Sequence, residues 1–329
     1  MLKAYACAPG GRLTSLALAQ MPQALWFDLE NPAPEDYAFV TRETGLALPQ
    51  QDNILEIENS SRLSANGDVL TLTMPIVTRT PEGLQSSACG FVLAPDRLVT
   101  IRFTPGQVFT QFATQPLETG VSGASNAAFI FTGLLEAIVD RQADALENLR
   151  RELDDLSHQI FHHRLSAKPQ ERAARRRNAE AELQATLAVL GRGYDTISFL
   201  RDSQLGIARI APYVLGTAAW LPEAARQRLQ SVEKDIASLN EFSTHLSDKV
   251  QFLLDATLGL INVAQNSLIK VLTIVSIVGI PPTLIAGIYG MNFHDIPEIT
   301  WRYGYVYAWG VMILSSMLPL AWFRKKGWL

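Results

Sequence analysis

Two stretches near the C-terminus restrict this chain more than any other feature. From Val271 to Tyr289, and again from Tyr303 to Phe323, there is no Asp, Glu, Lys or Arg. The runs are 19 and 21 residues long, and about 20 helical residues cross a hydrocarbon core of roughly 30 Å. A buried core helix is the competing reading. It suits poorly two consecutive uncharged runs with Trp and Tyr gathered at 301–309 and with Trp322 and Trp328 at the far edge, because such aromatics mark membrane interfaces. The sequence predicts two membrane-spanning helices.

The flanks predict their direction. After the second run stand Arg324, Lys325 and Lys326, whereas the segment between the runs offers Arg302 against Asp295 and Glu298. The excess of Lys and Arg places the tail in the cytoplasm, and two spans bring the N-terminal part back to the same side. A short, broken apolar run at residues 1–20 reads as no signal peptide. Cys7 and Cys89 lie outside any metal-ligand spacing and suit a reducing compartment. With 28 Lys and Arg against 32 Asp and Glu, overall charge does not point to nucleic acid.

Ahead of the spans the pattern predicts an α/β domain over 1–125. Val69–Thr78, Ala88–Ala94 and Arg97–Phe103 read as strands, Pro34–Thr44 and Asp52–Glu58 as helices. Residues 126–222 read as a helical hairpin region, with one helix over Ala127–Leu165 and a second over about Pro169–Leu205. A third helix starts after Pro222 and meets no proline until Pro281, so it runs directly into the first span. Its apolar stripe passes through Val232, Ile236, Leu239, Ser243, Leu246, Val250, Leu253 and Thr257. Sixty-odd residues make a rod of roughly 90 Å, which needs partners along its length. The fold class expected is an α/β cytoplasmic domain, a long helical stalk and two C-terminal transmembrane helices. The segments are 223–292 for stalk and first span (span about 271–289), 293–302 for the external loop, 303–323 for the second span and 324–329 for the basic tail.

Two spans in one chain cannot enclose a pore, but several copies can. Along one face of the third helix lie Asp255, Asn262, Asn266, Leu272, Ser276, Ile280, Thr283 and Gly287, with most of its polar and small residues. Intramembrane polar groups mark pathways, and Leu272 and Ile280 would form apolar rings able to close a pore by dewetting. Gly279, Thr283 and Gly287 also form a ridge of small residues suited to helix packing, an equal reading for Gly279.

At the end of this face stands Tyr289-Gly290-Met291-Asn292-Phe293, which resembles the CorA family of divalent-cation channels. Asn266, Lys270-Val271-Leu272-Thr273, Pro281-Pro282-Thr283, Ile296-Pro297-Glu298, Trp301, Gly304-Tyr305 and Lys325-Lys326-Gly327-Trp328-Leu329 extend the resemblance. Trp26-Phe27-Asp28-Leu29 echoes it near the N-terminus. The resemblance implies a CorA-like, funnel-shaped homopentamer in the bacterial inner membrane, surrounded by lipid. Mg²⁺ would be the usual cargo, with Co²⁺ and Ni²⁺ tolerated. Gly290, Met291 and Asn292 would form the selectivity ring at the outer mouth, and Asp255 would sit at the cytoplasmic end of the conduit. It also implies Mg²⁺ as a gating ligand on cytoplasmic carboxylates. The matching stalk position here is Ser231, so Glu233 and Asp235 are the nearest candidates for such a site.

An amide suits the mouth of such a pore. Mg²⁺ sheds water reluctantly, and carboxamide oxygens accept hydrogen bonds from its hydration shell without adding charge. A carboxylate ring would bind tightly, whereas conduction needs sites weak enough to leave. Asp295 and Glu298 would gather cations outside. No organic cofactor, nucleic acid or enzymatic activity is expected: no GxxxxGK[ST] loop occurs, and no nucleophile–base pair stands out. His158, His162 and His163, the basic run Arg172, Arg175, Arg176 and Arg177, and the acids around Asp154-Asp155 read as solvated helix faces. Two other functions remain: a zinc transporter of the same superfamily, with or without proton coupling, and a membrane-anchored scaffold or sensor that conducts nothing.

Overall fold

The computed structural model describes residues 1–8, 12–55, 62–80, 83–114, 126–165, 179–291 and 301–327. It divides into two compact units, Met1–Ala173 with Gln184–Leu253, and Ala174–Leu183 with Leu254–Leu329.

The first unit is built on a sheet of β1 (Leu2–Cys7), β2 (Leu13–Ser15), β3 (Trp26–Glu30), β4 (Leu63–Asn66), β5 (Val69–Thr80), β6 (Gly83–Leu93) and β7 (Leu98–Arg102). The spatial order is β2-β1-β3-β7-β6-β5-β4. Only the β3–β7 pair within this sheet is parallel, and a parallel pair needs a long crossover. The chain supplies it through α1 (Pro34–Thr44), α2 (Gln51–Leu55) and β4–β6. Both faces of the sheet are covered. Trp26, Leu72, Met74, Phe91 and Leu98 pack with α3 (Gln107–Thr114) and α4 (Ala127–Leu165) on one side. Phe27, Leu29, Val99 and Ile101 pack with Val40 and Ile54 on the other.

A buried charge joins the two parallel strands. Arg102 is 0% exposed and donates to Asp28 from Nε (3.1 Å) and a terminal nitrogen (2.9 Å), and to Glu30 at 2.8 Å. Thr100 donates to Asp28 at 2.9 Å and accepts from Trp26 Nε1 at 3.0 Å. Burial alone would lower the guanidinium pKa, but the hydrogen bond and charge of Asp28, joined by Glu30, leave it raised.

The sequence pattern predicts the segments of β5, β6 and β7 but none of β1–β4, and the observed bounds differ most at the β5–β6 hairpin. β6 begins at Gly83 rather than Ala88, and β5 reaches Thr80. Backbone pairing of Thr78 with Gln85 and of Thr80 with Gly83 carries the hairpin through Gln85-Ser86-Ser87, where side chains show no strand-like apolar pattern. α1 and α4 have the predicted bounds. α2 occupies Gln51–Leu55, and the rest of the predicted Asp52–Glu58 helix lies outside the described residues.

The second long helix, α5, spans Ala179–Thr217 and so continues twelve residues beyond the predicted end at Leu205. Gly206 does not stop it, because its missing side chain is what lets the helix lie on β5. A Cβ there would stand 2.7 Å from Met74 Cβ. Ile207, Ile210, Ala211 and Val214, all buried, extend the apolar face past it. Pro212 is accommodated inside the same helix.

The third long helix, α6, covers Glu223–Tyr289 in 67 residues, running through the proline-free stretch and on past Pro281 and Pro282, and the boundary between the units falls within it. In the first unit Val232, Ile236, Ser243, Leu246, Val250 and Leu253 are buried. Polar groups tie the bundle together: Gln142 on α4 donates to Ser203 on α5 at 2.8 Å, and Gln204 and Ser243 exchange hydrogen bonds at 3.0 and 3.1 Å. Arg228 pairs with Glu136 and Lys249 with Asp154 between α6 and α4.

Candidate functional site

Beyond Leu254 the apolar side chains of α6 turn from hidden to exposed. Leu268 is 71% exposed, Leu272 68%, and Val275 and Ile280 are 63% each. The last helix, α7 (Gly304–Lys325), shows the same character, with Tyr305, Leu314, Met317 and Leu318 exposed. These two helices are long and apolar enough to cross a membrane, and neither apolar window is buried within the chain. A core helix would be covered, and a monomer in water rarely exposes so much contiguous apolar surface. Arg324 and Lys325 stand in the last turn of α7, with Lys326 at its cap and over the Trp322 ring.

One face of the first span carries a shallow, open furrow between its side chains. A groove of about 570 Å³ runs along α6 and is lined by Ser276, Ile280, Thr283 and Gly287 among residues from Val275 to Met291. Four of the eight pore-face positions predicted from spacing thus share one groove. The other four, Asp255, Asn262, Asn266 and Leu272, are exposed on α6 nearer its N-terminus and do not line it. Thr283 donates its hydroxyl to the Gly279 carbonyl at 2.8 Å, so its oxygen lone pairs remain as an acceptor. A Cβ added to Gly279 or Gly287 would meet nothing within 4 Å. The ridge of small residues is therefore not used for packing among the described residues of this chain.

The helix ends where the motif begins. Gly290 N donates to Ala286 O at 2.9 Å and Met291 N to Ile288 O at 3.2 Å. A Cβ on Gly290 would lie 3.1 Å from the Ala286 carbonyl, so glycine allows this tight last turn. Met291 is exposed at the groove's end. Asn292, Asp295 and Glu298 lie outside the described residues.

A model of CorA-like Mg²⁺ transporter proteins matches residues 22–325. The chain belongs to the CorA family. The magnesium transport protein CorA of Escherichia coli strain K12 is 30% identical over 323 residues, 97% of each chain. That of Yersinia pseudotuberculosis is 29% identical over the same length and share. In three dimensions the CorA magnesium transporter of Methanocaldococcus jannaschii aligns with a TM-score of 0.72 at 18% identity, covering 100% of this chain and 99% of that one. This CorA protein accordingly has an α/β N-terminal domain, a long helix and two C-terminal membrane helices.

The carboxylates predicted for a cytoplasmic site are exposed on α6: Glu233 and Asp235. Asp235 lies within electrostatic reach of Asp140 on α4. Burial, then Glu136, Asp144 and Asp235, push the Asp140 carboxyl above its ordinary pKa. By contrast Asp154 is lowered by its hydrogen bond from Lys249. Among the described residues no group of three or more His, Cys, Asp or Glu side chains has the geometry to hold a metal ion. His158 is exposed, while the side chains of His162 and His163 and all of Arg172, Arg175, Arg176 and Arg177 fall outside the described residues. Spacing alone did not single out Ser316 on α7, which reaches the Val278 carbonyl of α6. The signal was present in Pro282, four residues after Val278.

Proposed function

We propose that this CorA protein carries Mg²⁺ passively into the cell through a homopentameric pore, with Co²⁺ and Ni²⁺ tolerated. The pore lies in the bacterial inner membrane with both chain termini in the cytoplasm. The observation that carries this reading is the groove of α6, where Ser276, Ile280, Thr283 and Gly287 share one uncovered face leading to Gly290-Met291. A groove lined by one helix becomes a conduit when copies surround an axis. Asp255, Asn262, Asn266 and Leu272 continue the path toward the cytoplasm. Gly290, Met291 and Asn292 form the outer ring that reads the hydrated ion, and Asp295 and Glu298 gather cations at its mouth. The segments are a cytoplasmic α/β domain (1–125), a helical hairpin region (126–222), stalk and first span (223–292), an external loop (293–302), second span (303–323) and basic tail (324–329). The driving force is the membrane potential: about 2.3 kcal/mol per charge per 100 mV gives about 4.6 for a divalent ion. No bond is made or broken, and no organic cofactor takes part.

Asn292→Ala tests the ring. In liposomes holding correctly assembled protein, Mg²⁺ influx falls by about tenfold or more, equivalent to about 1.4 kcal/mol; undiminished influx rejects the filter assignment. The same assay with Zn²⁺, and with a pH gradient, separates Mg²⁺ permeation from zinc transport.

Mg²⁺ also acts from the cytoplasmic side, with Glu233 and Asp235 contributing to its site. The supporting observation is the Asp140 carboxyl, raised above its ordinary pKa first by burial and then by the charges of Glu136, Asp144 and Asp235, which a bound cation would offset. In Asp235→Asn the rise in melting temperature on adding Mg²⁺ becomes smaller; an identical rise removes Asp235 from the site.

A further inference from the structure

Two successive prolines, Pro281 and Pro282, lie inside α6. Proline has no N–H, so the carbonyls four residues earlier, those of Ile277 and Val278, lose their helical donors. In hydrocarbon no water replaces such a donor, and a neighbouring Ser or Thr commonly does. Here the replacement comes from the other span. Ser316 Oγ on α7 donates to the Val278 carbonyl at 3.3 Å, across 38 residues of sequence. The same hydroxyl lies 3.3 Å from the carbonyl of Met312, one turn earlier in its own helix. A single proton thus serves two acceptors at equal distance, one between the helices and one within α7.

We propose that Ser316 is a positioning residue, a releasable clasp that holds the proline-weakened turn of α6 against α7. The inference rests on the reading that this face of α6 lines the ion path. Ile280 and Thr283 flank the two prolines and both line the groove, so motion at this turn moves path-lining side chains. The second acceptor makes release inexpensive: when α6 moves, Ser316 keeps its proton on Met312 O and no donor is stranded in lipid. The clasp exists because Pro282 removed the competing backbone donor. If residue 282 had an N–H, the Val278 carbonyl would return to its helix and Ser316 would lose its distinctive task.

That dependence yields a test on the full-length protein in liposomes. Ser316→Ala changes the initial Mg²⁺ influx rate by about threefold, matching the average worth of an interhelical hydrogen bond in a membrane protein. Ser316→Thr, which keeps the hydroxyl, stays near the parent rate. In the Pro282→Ala background, Ser316→Ala has no further effect. An equal effect of Ser316→Ala in both backgrounds overturns the clasp, as does a parent-like rate for Ser316→Ala alone. Hydrogen–deuterium exchange of the parent and Ser316→Ala proteins gives a second readout needing no proline variant. Exchange rises at residues 279–286 while 304–312 stay as in the parent, and no rise at 279–286 rejects the proposal. Should the parent protein pass no Mg²⁺, the transport reading falls, while the exchange contrast still decides the clasp.

Discussion

The two ends of α6 solve opposite problems with similar residues. Between Glu223 and Leu253 its Val, Ile and Leu side chains face α4 and α5 and are buried, with charged residues outward. Between Val271 and Tyr289 the same residue types face outward, and Val275, Ile280, Leu284 and Ile288 line a groove together with Ser276, Gly279, Thr283 and Gly287. One backbone thus passes from a helix whose stability comes from burial within its own chain to one that needs an apolar surrounding. Hydrophobicity alone does not distinguish the two halves; charge does. Removing Asp, Glu, Lys and Arg from one stretch leaves it without a face for water.

Mutations that depend on burial in the chain should separate the two units. The largest effect is expected in the sheet of the first: Asp28→Ala leaves Arg102 buried without its main partner and costs about 3–5 kcal/mol. Chemical denaturation of detergent-solubilised protein measures this as loss of the N-terminal unit's transition. Within α6, Leu246→Ala should cost about 2–5 kcal/mol, whereas Leu284→Ala, at a side chain 63% exposed, should stay within about 0.5 kcal/mol. Equal losses at the two positions would break the contrast between the halves. Gly206→Val drives a side chain into Met74 and should cost about 1–3 kcal/mol, read as a lower denaturation midpoint.

The smallest effect concerns charge on the buried half's outer rim. Asp140 has its pKa raised by burial and by Glu136, Asp144 and Asp235. Its contribution to stability is therefore greatest below its unfolded-state pKa and is lost as pH rises through the folded value. Asp140→Asn should raise the melting temperature slightly at neutral pH, with the difference vanishing as pH falls and Asp140 takes up its proton. A gain that persists in acid would point to a cause other than repulsion among these carboxylates.

Much of this architecture is legible without coordinates because its signals are local. Seventeen prolines in the chain make the proline-free run from Glu223 to Ile280 informative, and α6 begins with it at Glu223 and outlasts it to Tyr289. The prolines that end that run did not end the helix, since each removes one donor and leaves the following amides free to continue it. Less legible were the events that need two distant segments. Gly206 looks like a stop until β5 is seen beneath it, and Gln85-Ser86-Ser87 look like a loop until β5 pairs with them. At the site, the three- and four-residue spacing collected Ser276, Ile280, Thr283 and Gly287 on one face. It equally collected Asp255, Asn262, Asn266 and Leu272, which lie beyond the groove, because helical periodicity defines an azimuth and not a depth.

The sequence by itself therefore determined the long helices and which of them avoid water, as these depend on residue type and short-range period. Only the tertiary structure decided the strand order with its parallel β3–β7 pair, the seating of Gly206 on Met74 and the meeting of Ser316 with the Val278 carbonyl. Those depend on which distant surfaces come into contact. A buried charge or a proline-freed carbonyl announces that a partner is needed, but only the folded chain selects which one answers.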